Sequence, residues 1–163
     1  RTLRPDQVWG TFMEGYRSVE CPFCQDHGDK NWDNFIDLNR FEAFLKWASD
    51  RSLIKISRKK IERANSYQVP QDQINSSVIR LYIGSDLVII PKTLFRRYIG
   101  RELVASNLLT MKAQRNGINI HGQGLGHGVG LCQLGALDLA KRGWSYRRIL
   151  AYYFPQHELY KVY

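Results

Sequence analysis

The sequence predicts an α+β fold in which helices come first, a mainly antiparallel sheet follows, and two helices lie near the end of the chain. Three observations lead to this prediction: an early segment with apolar residues at helical spacing, a middle region of short segments joined by turn residues, and two late helical segments with clear ends. The chain has 163 residues, of which 44% are hydrophobic and 12% aromatic, so it can bury a sizeable core.

The early helix is predicted over residues 41–50, because four apolar side chains there fall on one stripe: Phe41, Phe44, Leu45 and Ala48. Residues 53–57 alternate as in a strand. Residues 65–77 are polar and predict a surface loop. A hairpin is predicted from residues 78–83 and 87–90, which flank the turn sequence Gly84-Ser85-Asp86. Residues 104–112 and 117–121 are two further strand candidates.

Two late helices are bounded by recognisable signals. Residues 131–142 end at Gly143, the expected C-terminal cap, and residues 145–154 begin at a capping Ser145 and end before Pro155. In the first of these helices, Gln133 shares a face with Leu137 and Ala140, and we expect that face to be buried. Residues 157–163 predict a short closing strand.

The most unusual stretch is residues 122–130, where every second residue is glycine. In an extended segment this spacing gives one face of bare backbone, open to close approach by a ligand, while Gln123 and His127 lie on the other face. A flexible linker is the alternative. The spacing does not match a dinucleotide-binding fingerprint, and the Gly-Lys-Ser/Thr of a phosphate-binding loop is absent.

Residues 121–155 closely resemble the C-terminal signature of the stage II sporulation protein D (SpoIID/LytB) family. The shared pattern is Gly-His-Gly-x-Gly-Met-Ser-Gln-x-Gly-Ala, a helix, a glycine, and Tyr-x-x-Ile-Leu-x-x-Tyr-Tyr-Pro; Leu131-Cys132 replaces Met-Ser here, and Phe154 replaces the second tyrosine. Residues 93–111 and, more weakly, 8–24 resemble preceding segments of the family. The resemblance thus extends over most of the chain.

The resemblance implies a peptidoglycan lytic transglycosylase, which cleaves glycan strands with a single carboxyl group acting as acid and then as base. In this family the catalytic glutamate lies in an upstream Glu-Met-Pro segment, and this chain contains no Met-Pro. No catalytic residue is therefore assigned here, and we expect the acid on a segment preceding Arg1. The alternative is a non-catalytic peptidoglycan-binding or amidase-enhancing module, as the name amidase enhancer of some relatives suggests.

Our hypothesis is that this chain supplies one wall of the glycan groove. The expected substrate-binding residues are Gln123, Gly124, Gly126, His127, Gly128, Gln133 and Arg97. A net charge of +9 suits glycan stripped of its stem peptides, since each disaccharide then exposes a carboxylate. No nucleic-acid-binding motif is present, so nucleic acid is not an expected partner. The expected partners are glycan strands and a cell-wall amidase. The family implies an extracytoplasmic location, with membrane contact only through an upstream anchor.

Cys21 and Cys24 have the spacing of a zinc knuckle, and His27 is close enough to join them, so a structural zinc ion is the first hypothesis. No fourth ligand is assigned. A disulfide and a glutaredoxin-like redox pair are the alternatives, although the residues after Cys24 are turn-forming rather than helical. The sequence therefore suggests a zinc-knuckle-like helical part over residues 1–64 and a mixed sheet with C-terminal helices over residues 65–163, within one compact unit.

Overall fold

The computed structural model describes residues 2–21, 31–70 and 74–162. Within these ranges, helices and two antiparallel three-stranded sheets confirm the predicted α+β class. The order of elements is α1 (Pro5–Trp9), β1 (Asn31–Asp37), α2 (Leu38–Asp50), α3 (Arg58–Glu62), β2 (Tyr67–Gln68), β3 (Val78–Ile83), β4 (Asp86–Pro91), α4 (Lys92–Ile99), β5 (Leu109–Gln114), β6 (Gly117–Gln123), α5 (Gln133–Lys141) and α6 (Tyr146–Tyr153). No helix in the described ranges has the length and apolar character that a membrane span requires.

Contacts divide the chain into two compact units. Asn31–Gly126 forms one, here called the sheet unit, and Arg1–Lys30 with His127–Tyr163 forms the other, here called the terminal unit. The boundary after residue 64 that the sequence suggested lies inside the sheet unit, so the contacts group the chain differently. The glycine-rich run is shared between the units, with Gly122, Gly124 and Gly126 in the first and Gly128 and Gly130 in the second.

The first sheet of the sheet unit has the order β1-β6-β5, and every pairing is antiparallel. On one face of this sheet Ile36, Ile118 and Ile120 are buried in the core together with side chains of α2. The second sheet has the order β2-β3-β4, and its β3–β4 hairpin occupies the positions that the sequence predicted.

Helix α2 begins where Asp37 accepts a hydrogen bond from the backbone N–H of Arg40 (2.9 Å), a normal N-terminal cap. The stripe predicted from helical spacing is confirmed, since the buried residues of α2 are Phe41, Phe44, Leu45 and Ala48. Helical spacing succeeded here because the stripe faces a single apolar core.

Three predictions about strands need correction. Residues 53–57 form bends and irregular chain rather than a strand, because Ser52 takes a left-handed conformation (φ 56°) and turns the chain directly after α2. The strand predicted from residue 104 begins only at Leu109. The predicted loop at 65–77 contains the short strand β2. In addition, β1 occupies a segment for which the sequence predicted no strand.

Helix α4 is held at both ends by long basic side chains. Lys92 is fully buried, and its Nζ donates to the carbonyls of Ile74 (3.0 Å) and Leu109 (2.9 Å). Burial lowers the pKa of Lys92 to about 8. Near the other end, Arg96 donates to the carbonyls of Val104 (2.8 Å) and Ala105 (3.0 Å).

The terminal unit has a smaller core among its described residues. Cys21, Leu139, Ile149 and Tyr153 form one buried cluster there. Ser145 accepts a hydrogen bond from the N–H of Arg148 (3.4 Å), which confirms the predicted cap of α6. Residues 157–162 form no strand, contrary to prediction, and the His157 ring instead lies edge-on to Tyr16 and Phe154.

Helix α5 is rotated relative to the sequence prediction. Its buried residues are Gly135, Asp138 and Leu139, whereas Gln133, Leu137 and Ala140 are exposed. A Cβ on Gly135 would lie 2.2 Å from the Tyr153 hydroxyl and 2.4 Å from Cys21 Sγ, so the glycine side packs closely against the cluster. The missing side chain at Gly135 therefore decides which face of α5 is buried. The prediction of a buried Gln133 amide is wrong.

Candidate functional site

The glycine-rich run is not the continuous extended ribbon that its spacing suggested. Strand β6 ends at Gln123, and the following glycines of the run take left-handed conformations, with φ between 72° and 83°. Residues with positive φ bend the chain, so alternate positions no longer share one flat face. The run is best described in two parts, one in each unit.

In the sheet unit, Gly122 makes room for an aromatic ring. A Cβ there would lie 2.1 Å from Cζ2 of Trp32, the residue paired with Gly122 across β1 and β6. The Trp32 Nε1–H donates to the carbonyl of Gly124 (3.1 Å) and so ties the loop to the strand below it. Gly122 therefore serves packing, and its position is closed to a ligand.

Gly124 and Gly126 differ from Gly122, because there is free space at the position that a side chain would occupy. Apart from the glycine itself and its two chain neighbours, no described residue has an atom within 4 Å of a Cβ built on either glycine. Their backbone is nevertheless anchored: Gly126 N–H donates to the carbonyl of Ala105 (2.8 Å), and the Gly126 carbonyl accepts from the N–H of Asn107 (3.3 Å). These two glycines are the part of the run where bare backbone can be approached.

Helix α4 supports this open loop. The carbonyl of Ala105 accepts both from Arg96 and from Gly126, so Arg96 fixes the segment on which the glycine loop rests. Arg96 belongs to the basic cluster at residues 96–101, but its side chain is committed to backbone carbonyls. Burial lowers the pKa of its guanidinium, and the nearby Arg101 lowers it further. Arg97, the predicted substrate-binding cation, is exposed on the same helix.

Gln123 lies at the end of β6 with an exposed side chain and a fixed backbone. Its N–H donates to the carbonyl of Leu108 (2.9 Å), and its carbonyl accepts from Ser106 Oγ (2.6 Å). The structure thus brings Gln123, Gly124 and Gly126 together in the sheet unit, and Arg97 belongs to the same unit.

In the terminal unit, His127 is exposed and lies against Trp9, with 5.6 Å between the ring centroids. Its Nδ1 accepts a hydrogen bond from the N–H of Val129 (3.1 Å). In the neutral ring the proton must then be on Nε2, which makes Nε2 the donor of the ring. The carbonyl of Gly128 accepts from the N–H of Leu3 (2.8 Å), and Gln133 is the exposed first residue of α5.

The predicted zinc ligands are described only in part. Cys21 is buried, and its Sγ lies 3.0 Å from the Tyr153 hydroxyl. Burial raises the pKa of the Tyr153 phenol, and the contact with Cys21 raises it further. Cys24 and His27 lie outside the described residues. Within the described ranges, no group of three or more His, Cys, Asp or Glu side chains could hold a metal ion. The zinc site stays a prediction.

One feature of the sheet unit was not anticipated from the sequence. An open cleft of about 980 Å³ is bounded by the first sheet and by residues 67–70. Asp33 and His121 face each other across β1 and β6, with 2.8 Å between Asp33 Oδ1 and His121 Nδ1. The alternation of β6, in which Asn119, His121 and Gln123 fall between buried positions, was the signal that could have located this face.

Comparisons with known proteins place the chain near two others. No family model matches it. It is 32% identical over 130 residues, 77% of the chain, to an uncharacterized protein of Brachyspira hyodysenteriae, of which it covers 31%. It is 38% identical over 66 residues, 40% of the chain, to the amidase enhancer of Bacillus subtilis, of which it covers 9%. The chain therefore spans about a third of the first relative and less than a tenth of the second.

Proposed function

We propose that this chain is a peptidoglycan-binding module that enhances a cell-wall amidase and acts outside the cytoplasm. The observation that carries the proposal is the 38% identity, over 66 residues, to a protein named amidase enhancer. The other relative has no described function, so it favours neither binding nor cleavage. The sequence resemblance at residues 121–155 supplies the substrate class, which is the glycan strand of peptidoglycan.

Open backbone supports a role of Gly124 and Gly126 in glycan binding. A saccharide is covered with hydroxyl and acetamide groups. The carbonyls of Gly124 and Gly126 each accept one hydrogen bond already and have a second lone pair, which such groups can reach where no side chain intervenes. The neighbouring Gln123 adds an exposed amide that can both donate and accept. Arg97 and the net charge of +9 favour glycan strands that carry free carboxylates.

His127, Gly128 and Gln133 belong to the terminal unit, and we propose that they make separate contacts with glycan or with the amidase. His127 offers an Nε2 donor in its neutral form, since Nδ1 already accepts from Val129. Gln133 is exposed and offers a side-chain amide. A structural zinc ion held by Cys21, Cys24 and His27 is part of the proposal, and metal analysis of protein purified without chelator tests it.

Binding is tested with glycan strands freed of their stem peptides. We expect Gln123→Ala to weaken binding about fivefold, the effect of losing one hydrogen bond of about 1 kcal/mol. Gln114→Ala is the matched control, because Gln114 is an exposed glutamine at the end of β5 in the same sheet. Equal binding by the wild type and both variants would remove Gln123 from the site, and no binding by the wild type would overturn the proposed function.

Enhancement is tested separately by measuring release of stem peptides from intact peptidoglycan by a purified amidase. We expect the rate to rise when this chain is added and to be unchanged by an equal amount of a protein of similar charge. A chain that binds glycan but leaves the amidase rate unchanged would support binding alone.

Glycan cleavage is the second candidate, favoured by the motif resemblance at residues 121–155. In that case the acid comes from a segment outside this chain. Supplying this chain with a segment that carries the family's Glu-Met-Pro sequence should then yield 1,6-anhydro ends from glycan strands. Their absence, with glycan binding intact, would leave the module as the function.

A further inference from the structure

The outer face of the first sheet of the sheet unit carries a set of side chains that the glycine motif does not explain. The strand register places them in two rows across β5, β6 and β1: Lys112, Asn119 and Phe35 in the first, and Thr110, His121 and Asp33 in the second. Directly opposed residues in such a sheet have Cβ atoms about 5 Å apart. Gln123 follows on the same face of β6, since alternate residues of a strand share a face.

Phe35 is unusual on this face because it is a large apolar ring that is 43% exposed. A Cβ on Gly117 would lie 2.6 Å from Cζ of Phe35, so the ring rests over a glycine of the neighbouring strand. A ring supported from below and open above is a stacking surface, and such surfaces bind the apolar faces of planar or ring-shaped ligands.

Polar groups beside the ring are neutral or balanced in charge. Asn119 is next to Phe35 in its row. The cleft also contains one carboxylate, that of Asp33 on β1, and one ammonium, that of Lys112 on β5, so their charges balance. An ionised carboxylate can only accept, so the Nδ1 of His121 donates to Asp33 and, in the neutral ring, Nε2 is left as an acceptor. The cleft thus offers amide, hydroxyl and imidazole groups without a cluster of like charges.

We propose that this cleft binds a saccharide unit that stacks on Phe35 and hydrogen-bonds to Asn119 and His121. The proposal rests on the proposed function, and it extends the glycan path from Gly124 and Gln123 along the outer face of β6. A volume of about 980 Å³ lies within the range of roughly 300–1,000 Å³ typical of small-ligand pockets. Nucleic acid fits less well, because its binding depends on several cations that contact phosphates, and the described residues that line the cleft include one lysine and no arginine.

The test is titration of the whole chain with N-acetylglucosamine tetramer, an uncharged glycan probe, followed by two-dimensional NMR and calorimetry. We expect backbone shifts to concentrate at residues 33–35, 110–113 and 119–123. Phe35→Ala should weaken binding at least tenfold and Asn119→Ala about fivefold. Tyr82→Ala is the matched control, because Tyr82 is an exposed aromatic residue on β3 in the other sheet and should leave affinity unchanged.

The outcomes separate this site from the proposed function. Shifts confined to residues 123–126, with wild-type affinity for Phe35→Ala and Asn119→Ala, would overturn the cleft and leave glycan binding in place. No shift with the tetramer and no binding of glycan strands would overturn both. A short oligonucleotide that shifts residues 33–35 and 119–121 more strongly than the tetramer would overturn the choice of ligand. Should Phe35→Ala unfold, the NMR map of the wild type and the Asn119→Ala titration still decide.

Discussion

The sheet unit and the terminal unit each contain a crowded glycine, but the surroundings of the two glycines differ in kind. Gly122 lies against the Trp32 ring at the edge of a large apolar cluster. Gly135 faces the Tyr153 hydroxyl and Cys21 Sγ in a cluster that has only four buried members among the described residues. The first unit therefore has the larger apolar cluster, and the smaller cluster of the second contains a contact between a thiol and a phenol.

A second comparison lies within the glycine run itself. At position 122 there is no space for a side chain, so glycine is required. At positions 124 and 126 there is space, but the positive φ favours glycine. Substitution by alanine adds a methyl group in each case. A difference in the loss of stability between the variants therefore shows whether steric overlap or backbone conformation requires the glycine.

The largest effect is expected for Gly122→Ala. The new methyl would overlap the Trp32 ring and push it off the core face, which also breaks its hydrogen bond to Gly124. Overpacking a core costs roughly 1–3 kcal/mol, and we expect about 3 kcal/mol here because the overlap is with a rigid ring. Urea denaturation measures this loss in the free energy of unfolding.

Trp32→Ala provides the control for that experiment. If the ring causes the loss, the double variant Gly122→Ala/Trp32→Ala is destabilised by clearly less than the sum of the single variants. Additive effects would mean that Gly122 is required for a reason other than Trp32.

Gly135→Ala should cost less, about 2 kcal/mol. Alanine favours a helix by roughly 1 kcal/mol over glycine, which offsets part of the clash with Tyr153 and Cys21. Tyr153→Phe removes the hydroxyl that the methyl meets, so the loss on adding Gly135→Ala should be smaller in that background. Thermal unfolding of the four proteins gives the coupling, and a stabilised Gly135→Ala would contradict the close packing of α5 and α6.

Lys92 is an exception to the apolar character of the core of the sheet unit, because its buried side chain ends in an ammonium group. Its pKa of about 8 in the folded chain lies below the ordinary value of 10.5 for an accessible lysine. The unfolded chain thus holds more protons between these values, so stability rises with pH through this window. We expect a gain of about 2 kcal/mol between pH 7.5 and 9.5.

Lys92→Met removes the titrating group and serves as the reference. The difference in unfolding free energy between the two proteins should then change with pH by this amount, while effects of other residues cancel. A difference that stays constant with pH would show that Lys92 keeps its ordinary pKa, with its bonds to Ile74 and Leu109 offsetting burial.

Local patterns explain which parts of the fold could be predicted. The hairpin β3–β4 and the buried stripe of α2 depend on periodicity and turn residues within a short window, and both are confirmed. Strand β1 was missed because Asn31, Asp33 and Asn34 are poor strand formers. Its partner β6 is distant in sequence, and such pairing overrides local preference.

The candidate site, like the fold, could be predicted only where a short window of sequence was sufficient. Sequence spacing located the run of glycines, but it could not separate Gly122, which packs against Trp32, from Gly124, which is open. The buried face of α5 was predicted wrongly because helical spacing weighs side chains, and here an absent side chain at Gly135 decides the packing. The outer face of β6 needed its neighbours β1 and β5 before its residues could be seen together.

The smallest effect is expected for Gly124→Ala, and it completes the comparison with Gly122. No described atom obstructs the added methyl, so the cost is that of an alanine held at a φ of 72°, about 1 kcal/mol. In urea denaturation, the free energy of unfolding of Gly124→Ala should be about 2 kcal/mol higher than that of Gly122→Ala. A loss as large as that of Gly122→Ala would mean that the methyl meets an obstruction, and that the backbone at Gly124 is less open than its surroundings indicate.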